Sequence, residues 1–249
     1  MKTLLKATLL ASAMFTAASV SAAPIAISIS YAPTAEADFL ASLNGPTVTE
    51  NFDGLGGAQV IGADAHHSWE NKSSSILTNV GTFTLTAAGQ IEDGNIHNDE
   101  LMIESNVTGE DGRETLSNGS ATDFWLDSND AETVIWSFGA PLSGSFNAFG
   151  FYLADPSDVS ANLTLTFDDG TSSSNITTFF ELANGNLGYV TVISEQNIVG
   201  ATLTFSNTTK NDGWGIDDVT VGNVPEPGSI LLMGLGLLGL GAARRRIKA

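Results

Sequence analysis

The sequence predicts an all-β fold, an antiparallel β-sandwich that is jelly-roll-like, set between two processing addresses. Short runs alternate branched or aromatic residues with Ser, Thr and Asn, the period-2 signature of strands with one buried face. Turn chemistry rich in Gly, Asn and Asp separates those runs, and no convincing helical pattern lies between the two ends. About ten short strands with such punctuation are best closed as two packed antiparallel sheets. A β-helix would need a repeat of fixed period, and none is found.

The elements follow in chain order. Lys2 and Lys6 give a positive start, Leu4 to Val20 is mostly apolar and small, and Val20-Ser21-Ala22 places small residues where a signal peptidase reads. Residues 1–22 are therefore expected to be a signal peptide, with the mature chain beginning near Ala23. Residues 23–223 form one β-sandwich domain, long enough to bury a full core. Its early strands are expected at 25–31, 47–52 and 82–86, then at 133–138, 145–153 and 162–167. The remaining ones are expected at 176–180, 189–194, 201–205 and 216–221. Asp168-Asp169-Gly170 between two alternating runs signals a hairpin, and Asn184-Gly185-Asn186 and Asn211-Asp212-Gly213 are similar. The stretch from Gly57 to about Asp130 is less regular and more acidic, and is expected to be rich in exposed loops.

Residues 224–249 have a different composition. Pro225-Glu226-Pro227 cannot sit inside a helix and marks an extended, accessible segment. An apolar run of 14 residues follows from Ile230 to Ala243, shorter than the roughly 20 that a stable span prefers. It is rich in helix-weakening glycine. Arg244-Arg245-Arg246 then act as a membrane stop, holding that end on the cytoplasmic side. Such a run can enter a bilayer transiently as a short transmembrane helix.

Charge narrows the function. Six of the nine basic residues lie in the two addresses, leaving Lys72, Arg113 and Lys210 against 28 acidic residues, a balance of 3 − 28 = −25 with Glu226 of the C-terminal address kept. A surface of that sign repels nucleic acid and anionic lipid, so no nucleic-acid partner is expected. It attracts divalent cations, and calcium is the cofactor to expect in an extracellular setting. With no cysteine, disulfides, thiolate metal sites, cysteine catalysis and N-terminal lipidation are excluded. His66 and His67 flank Asp64 and Glu70, but adjacent residues of an extended chain point to opposite faces and do not readily share one transition metal. Trp136 lies in an alternating strand and reads as core, whereas Trp69 and Trp125 lie beside Glu70 and Asp127 and are the expected ligand surface. Neither a Gly-x-Ser-x-Gly elbow, nor His-Glu-x-x-His, nor a phosphate loop is present.

Pro225-Glu226-Pro227, the Gly/Leu run from Leu231 to Gly241 and the terminal arginines together resemble the PEP-CTERM sorting signal. The resemblance implies export in a Gram-negative bacterium. It also implies recognition by an exosortase, a membrane-embedded cysteine transpeptidase-like enzyme, with cleavage near the Pro-Glu-Pro motif and delivery to the cell envelope or extracellular matrix, usually in cells that make exopolysaccharide. In the body, Phe146 to Leu153, Leu163 to Gly170 and Trp214 to Val221 are similar to stretches of many PEP-CTERM proteins. Glu50-Asn51-Phe52-Asp53 with Trp214 to Val221 also resembles the first and last strands of carbohydrate-binding β-sandwich modules. In those modules a structural calcium commonly ties the chain ends together. Carried over by position, the implied ligands are Glu50, Asp53, Asp217 and Asp218, and a bulge is required to reconcile the spacing of Ile216 and Val219.

The sequence thus points to an exported, exosortase-processed, non-catalytic protein, structural or polysaccharide-associated. A specific carbohydrate-binding protein and a secreted glycan hydrolase working through paired carboxylates are the alternatives.

Overall fold

The computed structural model describes residues 25–56, 72–87, 101–105, 124–127, 131–140, 142–154, 162–173, 187–205 and 214–225. Strands β1 (Ile25–Ser30), β2 (Val48–Glu50), β3 (Lys72–Ser73), β4 (Ser75–Thr78), β5 (Gly81–Ala87) and β6 (Leu101–Ser105) come first. They are followed by β7 (Phe124–Asp127), β8 (Thr133–Ser137), β9 (Phe146–Ala154), β10 (Asn162–Phe167), β11 (Leu187–Thr204) and β12 (Gly215–Gly222). All pairings among them are antiparallel, and the main path runs β3-β6-β7-β12-β9-β11-β8-β5-β4.

β11 explains how one connected sheet makes two layers. Its first half, residues 189–194, pairs β1 on one side, and residues 187–193 pair β9 on the other. Its second half pairs β8 and β10. The backbone stays extended from Leu187 to Thr204 without reversing, so the two strands expected at 189–194 and 201–205 are one strand that passes from layer to layer. Irregular register beside Ile198 marks the crossing. The antiparallel sandwich is as expected.

The core lies between the layers, because alternate residues of each strand face inward. Phe149 and Phe151 of β9 and Val190 and Val192 of β11 meet Phe83 of β5 and Trp136 of β8, all nearly inaccessible. Trp136 stacks on Phe83 with centroids 5.2 Å apart and meets Phe149 edge-on at 4.9 Å. Its indole N–H donates to the carbonyl of Val80 at 3.0 Å, so burial leaves no polar atom of the ring unsatisfied. Trp214 stacks on Phe205 at 4.0 Å and donates to the carbonyl of Ala131.

Helix α1 (Ala35–Ser42) was not expected from the sequence. It covers the other face of β9 and β11, where Ala35 and Phe39, four apart on one stripe, pack with Ala148 and Tyr189. Gly150 makes this possible, since a Cβ there would overlap the Tyr189 hydroxyl and the Phe39 ring. Short strands β3, β4, β6 and β7 also fall in the stretch expected to be loops. Of the expected turns, Asp168-Asp169-Gly170 is present, with Gly170 at φ +80 and Asp169 Oδ1 accepting from the N–H and hydroxyl of Thr171 at 2.8 and 2.6 Å. The strand expected at 176–180 and the turns at 184–186 and 211–213 lie outside the described residues.

Candidate functional site

β12 is the last strand and delivers the chain to its C-terminal address. It is held between β9 and β2, and its residues other than Asp218 are buried. Immediately beyond it, Asn147 on β9 and Asn223 form a two-way clamp. The N–H of Asn147 donates to Oδ1 of Asn223 at 3.1 Å, and the N–H of Val224 donates to Oδ1 of Asn147 at 2.8 Å. The Asn223 side-chain amide donates to the carbonyl of Ser145, and its own carbonyl accepts from Asn44. Asparagine suits this position because one planar amide donates and accepts at once. Pro225, one residue beyond the clamp, is exposed. Glu226, Pro227, the apolar run and Arg244, Arg245 and Arg246 lie outside the described residues. Among the described residues no helix is long and apolar enough to cross a membrane.

The early and late strands do lie side by side, with Glu50 opposite Val219, Thr49 opposite Thr220 and Val48 opposite Val221. The required bulge is present too. Asp217 pairs with Tyr152 and Thr220 with Gly150, so β12 carries one residue more than β9 across that interval. Asp218 takes φ +47 there, and its N–H donates to Oδ1 of Asp217 at 2.7 Å. This left-handed residue is what lets Ile216, Val219 and Val221 all face the core.

The same register corrects the expected ligand set. Directly opposed residues of an antiparallel pair share a face, so Glu50, opposite core residue Val219, points inward. Asp217, opposite Tyr152, lies on the α1 side of the sheet. Glu50 is buried, with Oε1 accepting from the N–H of Phe52 at 2.8 Å and Oε2 from the N–H of Asn79 at 2.7 Å. It thus pins the turn after β2, where Phe52 has φ 57, to the β4–β5 hairpin. Asp53 is exposed, and its oxygens accept from Asn51 at 2.8 Å and from the N–H of Phe124 at 3.1 Å. Glu50, Asp53, Asp217 and Asp218 are therefore not gathered around one ion. Among the described residues no three His, Cys, Asp or Glu side chains form a metal-holding group.

Around Asp217 the α1 side has its own electrostatics. The Tyr152 hydroxyl lies 3.4 Å from Oε2 of Glu36 as donor, and its ring meets Tyr189 edge-on at 4.7 Å. Burial, with Glu36 and then Asp218 and Asp217 adding negative charge, pushes the Tyr152 phenol up to about 12. Tyr189 is raised as well, by burial first and then by Glu36, Tyr152 and Asp218. Both phenols stay neutral across the physiological range.

Trp125 is not a ligand surface. Only 2 % of it is exposed, and it packs against Gly215, where a Cβ would crowd the indole edge. The dimple it lines with Tyr152, Leu187 and Asp217 encloses no space that a water molecule would fill. The alternation of β7 could not reveal this, because both faces of Trp125-Leu126-Asp127 are buried. Trp69 lies outside the described residues.

Comparison with known proteins bears on the C-terminus. One solved structure, the CBM51-2 and INT domains of ZmpB from Clostridium perfringens, aligns at 10 % identity with a TM-score of 0.27 over 66 % of this chain. The chain spans about a third of that structure, 31 %. No curated protein matches the chain. Residues 223–246 match the family model of the PEP-CTERM protein-sorting motif. The match begins at Asn223, the clamp residue, so the chain carries a PEP-CTERM sorting address attached directly to the last strand of its β-sandwich.

Proposed function

We propose that the protein is a non-catalytic component of the cell envelope or extracellular matrix of a Gram-negative bacterium, associated with exopolysaccharide and delivered by exosortase. The sorting motif makes it an exosortase-processed, exported protein. The observation that carries the reading is the junction. A buried β12 ends in the Asn147–Asn223 clamp and the chain emerges at exposed Pro225, so the first residue of the sorting motif already stands outside the packed domain, where a membrane enzyme needs no unfolding to meet it. Signal peptidase acts first, near Ala23, and the domain of residues 23–223 follows it out. The apolar run then holds the chain in the membrane until cleavage.

Calcium stays part of the proposal on charge alone. A balance of −25 draws divalent cations to the surface, without the four carboxylates once expected to hold one ion.

Mass spectrometry of the exported protein, from cells with and without exosortase, tests the delivery. The product should end near the Pro-Glu-Pro motif in the first and retain Arg244, Arg245 and Arg246 in the second. An exported product with its arginines intact in the presence of the enzyme overturns it.

A further inference from the structure

Among the described residues the outer face of the second layer carries no formal charge, although the domain of residues 23–223 carries a balance of 3 − 27 = −24. The pairings place Ser75, Thr84, Ile135, Thr202 and Thr164 in one row across β4, β5, β8, β11 and β10. The next row is Leu77, Thr82, Ser137, Gly200 and Thr166. A third continues through Thr133, Thr204 and Asn162. Residues between these rows face the core. Every side chain of the three rows is partly or well exposed apart from buried Gly200. Leu77, at 60 % exposure, and Ile135, at 38 %, are among the most exposed large apolar residues described, and Val199 lies beside Gly200 at the bulge.

Solvent faces of antiparallel sheets are ordinarily polar, and charged side chains are a common guard against sticking at sheet edges. This one offers hydroxyls that both donate and accept, interspersed with methyl groups. Neighbouring strands stand about 4.8 Å apart and side chains on one face about 6.8 Å apart along a strand, so the surface covers roughly 400 Å². That is about half of what one partner contributes to a standard protein interface, and a second copy would bring another strongly negative body with it. The right-handed twist of the sheet also works against registry with a rigid crystal lattice such as ice. A flexible, uncharged chain of sugars fits each constraint. Its hydroxyls pair with Ser and Thr, its C–H faces meet Ile135, Leu77 and the threonine methyls, and its length supplies many weak contacts at once.

We infer that the face formed by β4, β5, β8, the second half of β11 and β10 is a docking surface for neutral polysaccharide. This rests on the polysaccharide-associated reading above and names the surface responsible. Binding involves no aromatic platform, is weak per sugar and strong for polymer, and is insensitive to salt.

The test is retention of the exported protein on amorphous cellulose and its retardation in native gels containing dextran, with alginate as the anionic comparison. The Thr84→Lys/Thr202→Lys protein should lose at least tenfold in apparent affinity for neutral polymer. Ser75→Lys/Leu77→Lys on the edge strand, where folding is least at risk, should lose several-fold. Asp38→Lys on exposed α1 should bind as the natural protein does, and thermal unfolding of each variant confirms the fold. Face variants that bind neutral polymer as well as the natural protein overturn this surface and leave the polysaccharide reading standing. No retention of the natural protein on any of the polymers overturns both. Preference for alginate, a dimer in sedimentation that the face variants abolish, or altered ice growth without polymer retention would each assign the surface to another occupant and overturn the inference.

Discussion

The N–H of Asn147 donates to Oδ1 of Asn223 at 3.1 Å, and Oδ1 of Asn147 accepts from the residue after Asn223 at 2.8 Å. An asparagine on β9 and one just past the end of β12 thereby fix the point at which the sorting tail leaves the domain. Asn147→Ala removes an acceptor from the half-buried Val224 N–H and should destabilise the domain by about 1–2 kcal/mol. Urea unfolding should show a lower midpoint with an unchanged slope, and limited proteolysis should nick faster around Val224. An unchanged midpoint and unchanged nicking would show that the strand pairing alone holds β12.

Glu50 is expected to behave as a backbone pin. Glu50→Ala strands the N–H groups of Phe52 and Asn79 and should cost about 3 kcal/mol. Glu50→Gln, which keeps one acceptor, should cost about half of that. Both losses should be the same in EDTA and in calcium at matched ionic strength. A loss present only with calcium would return Glu50 to a metal site.

Trp125→Ala should destabilise by about 3–5 kcal/mol through the cavity it leaves, and Trp125→Phe by much less. The phenylalanine protein, once shown to fold by its near-UV spectrum, should bind neutral polysaccharide as the natural protein does. Loss of binding without loss of stability would make Trp125 a contact residue after all.

Tyr152 should make the fold sensitive to alkali. Its folded pKa is about 12 against an ordinary 10.0, so its contribution is fully present below the ordinary value and disappears as pH rises through the folded one. Tyr189 acts in the same direction. Phenolate absorbance should therefore rise later than in free tyrosine, and stability should fall across that window. Partial exposure of Tyr152 keeps its share at or below about 1 kcal/mol. Tyr152→Phe should flatten the fall. A titration with every phenol near its ordinary value contradicts this arrangement.

Strand existence was readable in the longer runs with one face buried and the other wet, whereas four-residue β4, with the same alternation, was too short to stand out. Thr82-Phe83-Thr84-Leu85-Thr86 and Asn162 to Phe167 alternate without a break, and both strands formed where expected. The same signal failed for β6 and β7, whose described side chains are largely buried on both faces, and for α1, a single short helix supported by packing and not by its own periodicity. It divided β11 in two because polar Glu195, Gln196 and Asn197 look like a boundary, and pairing to β1 and β9 does end by Ser194 and resume with β10 at Ile198, yet the backbone stays extended between the two partner sets.

The C-terminal address was fixed by local covalent chemistry. Proline, an apolar run and arginine keep their meaning whatever surrounds them, and the match at residues 223–246 agrees. Which carboxylates meet was decided only in three dimensions. The face of a strand residue depends on register, and the single extra residue at Asp218 changes the parity along β12. Glu50 consequently points into the core and Asp217 toward α1, although their strands are neighbours. The uncharged hydroxyl face has the same origin. Its threonines lie far apart in the chain, and strand pairing alone brings five strands' worth of alternation into one surface.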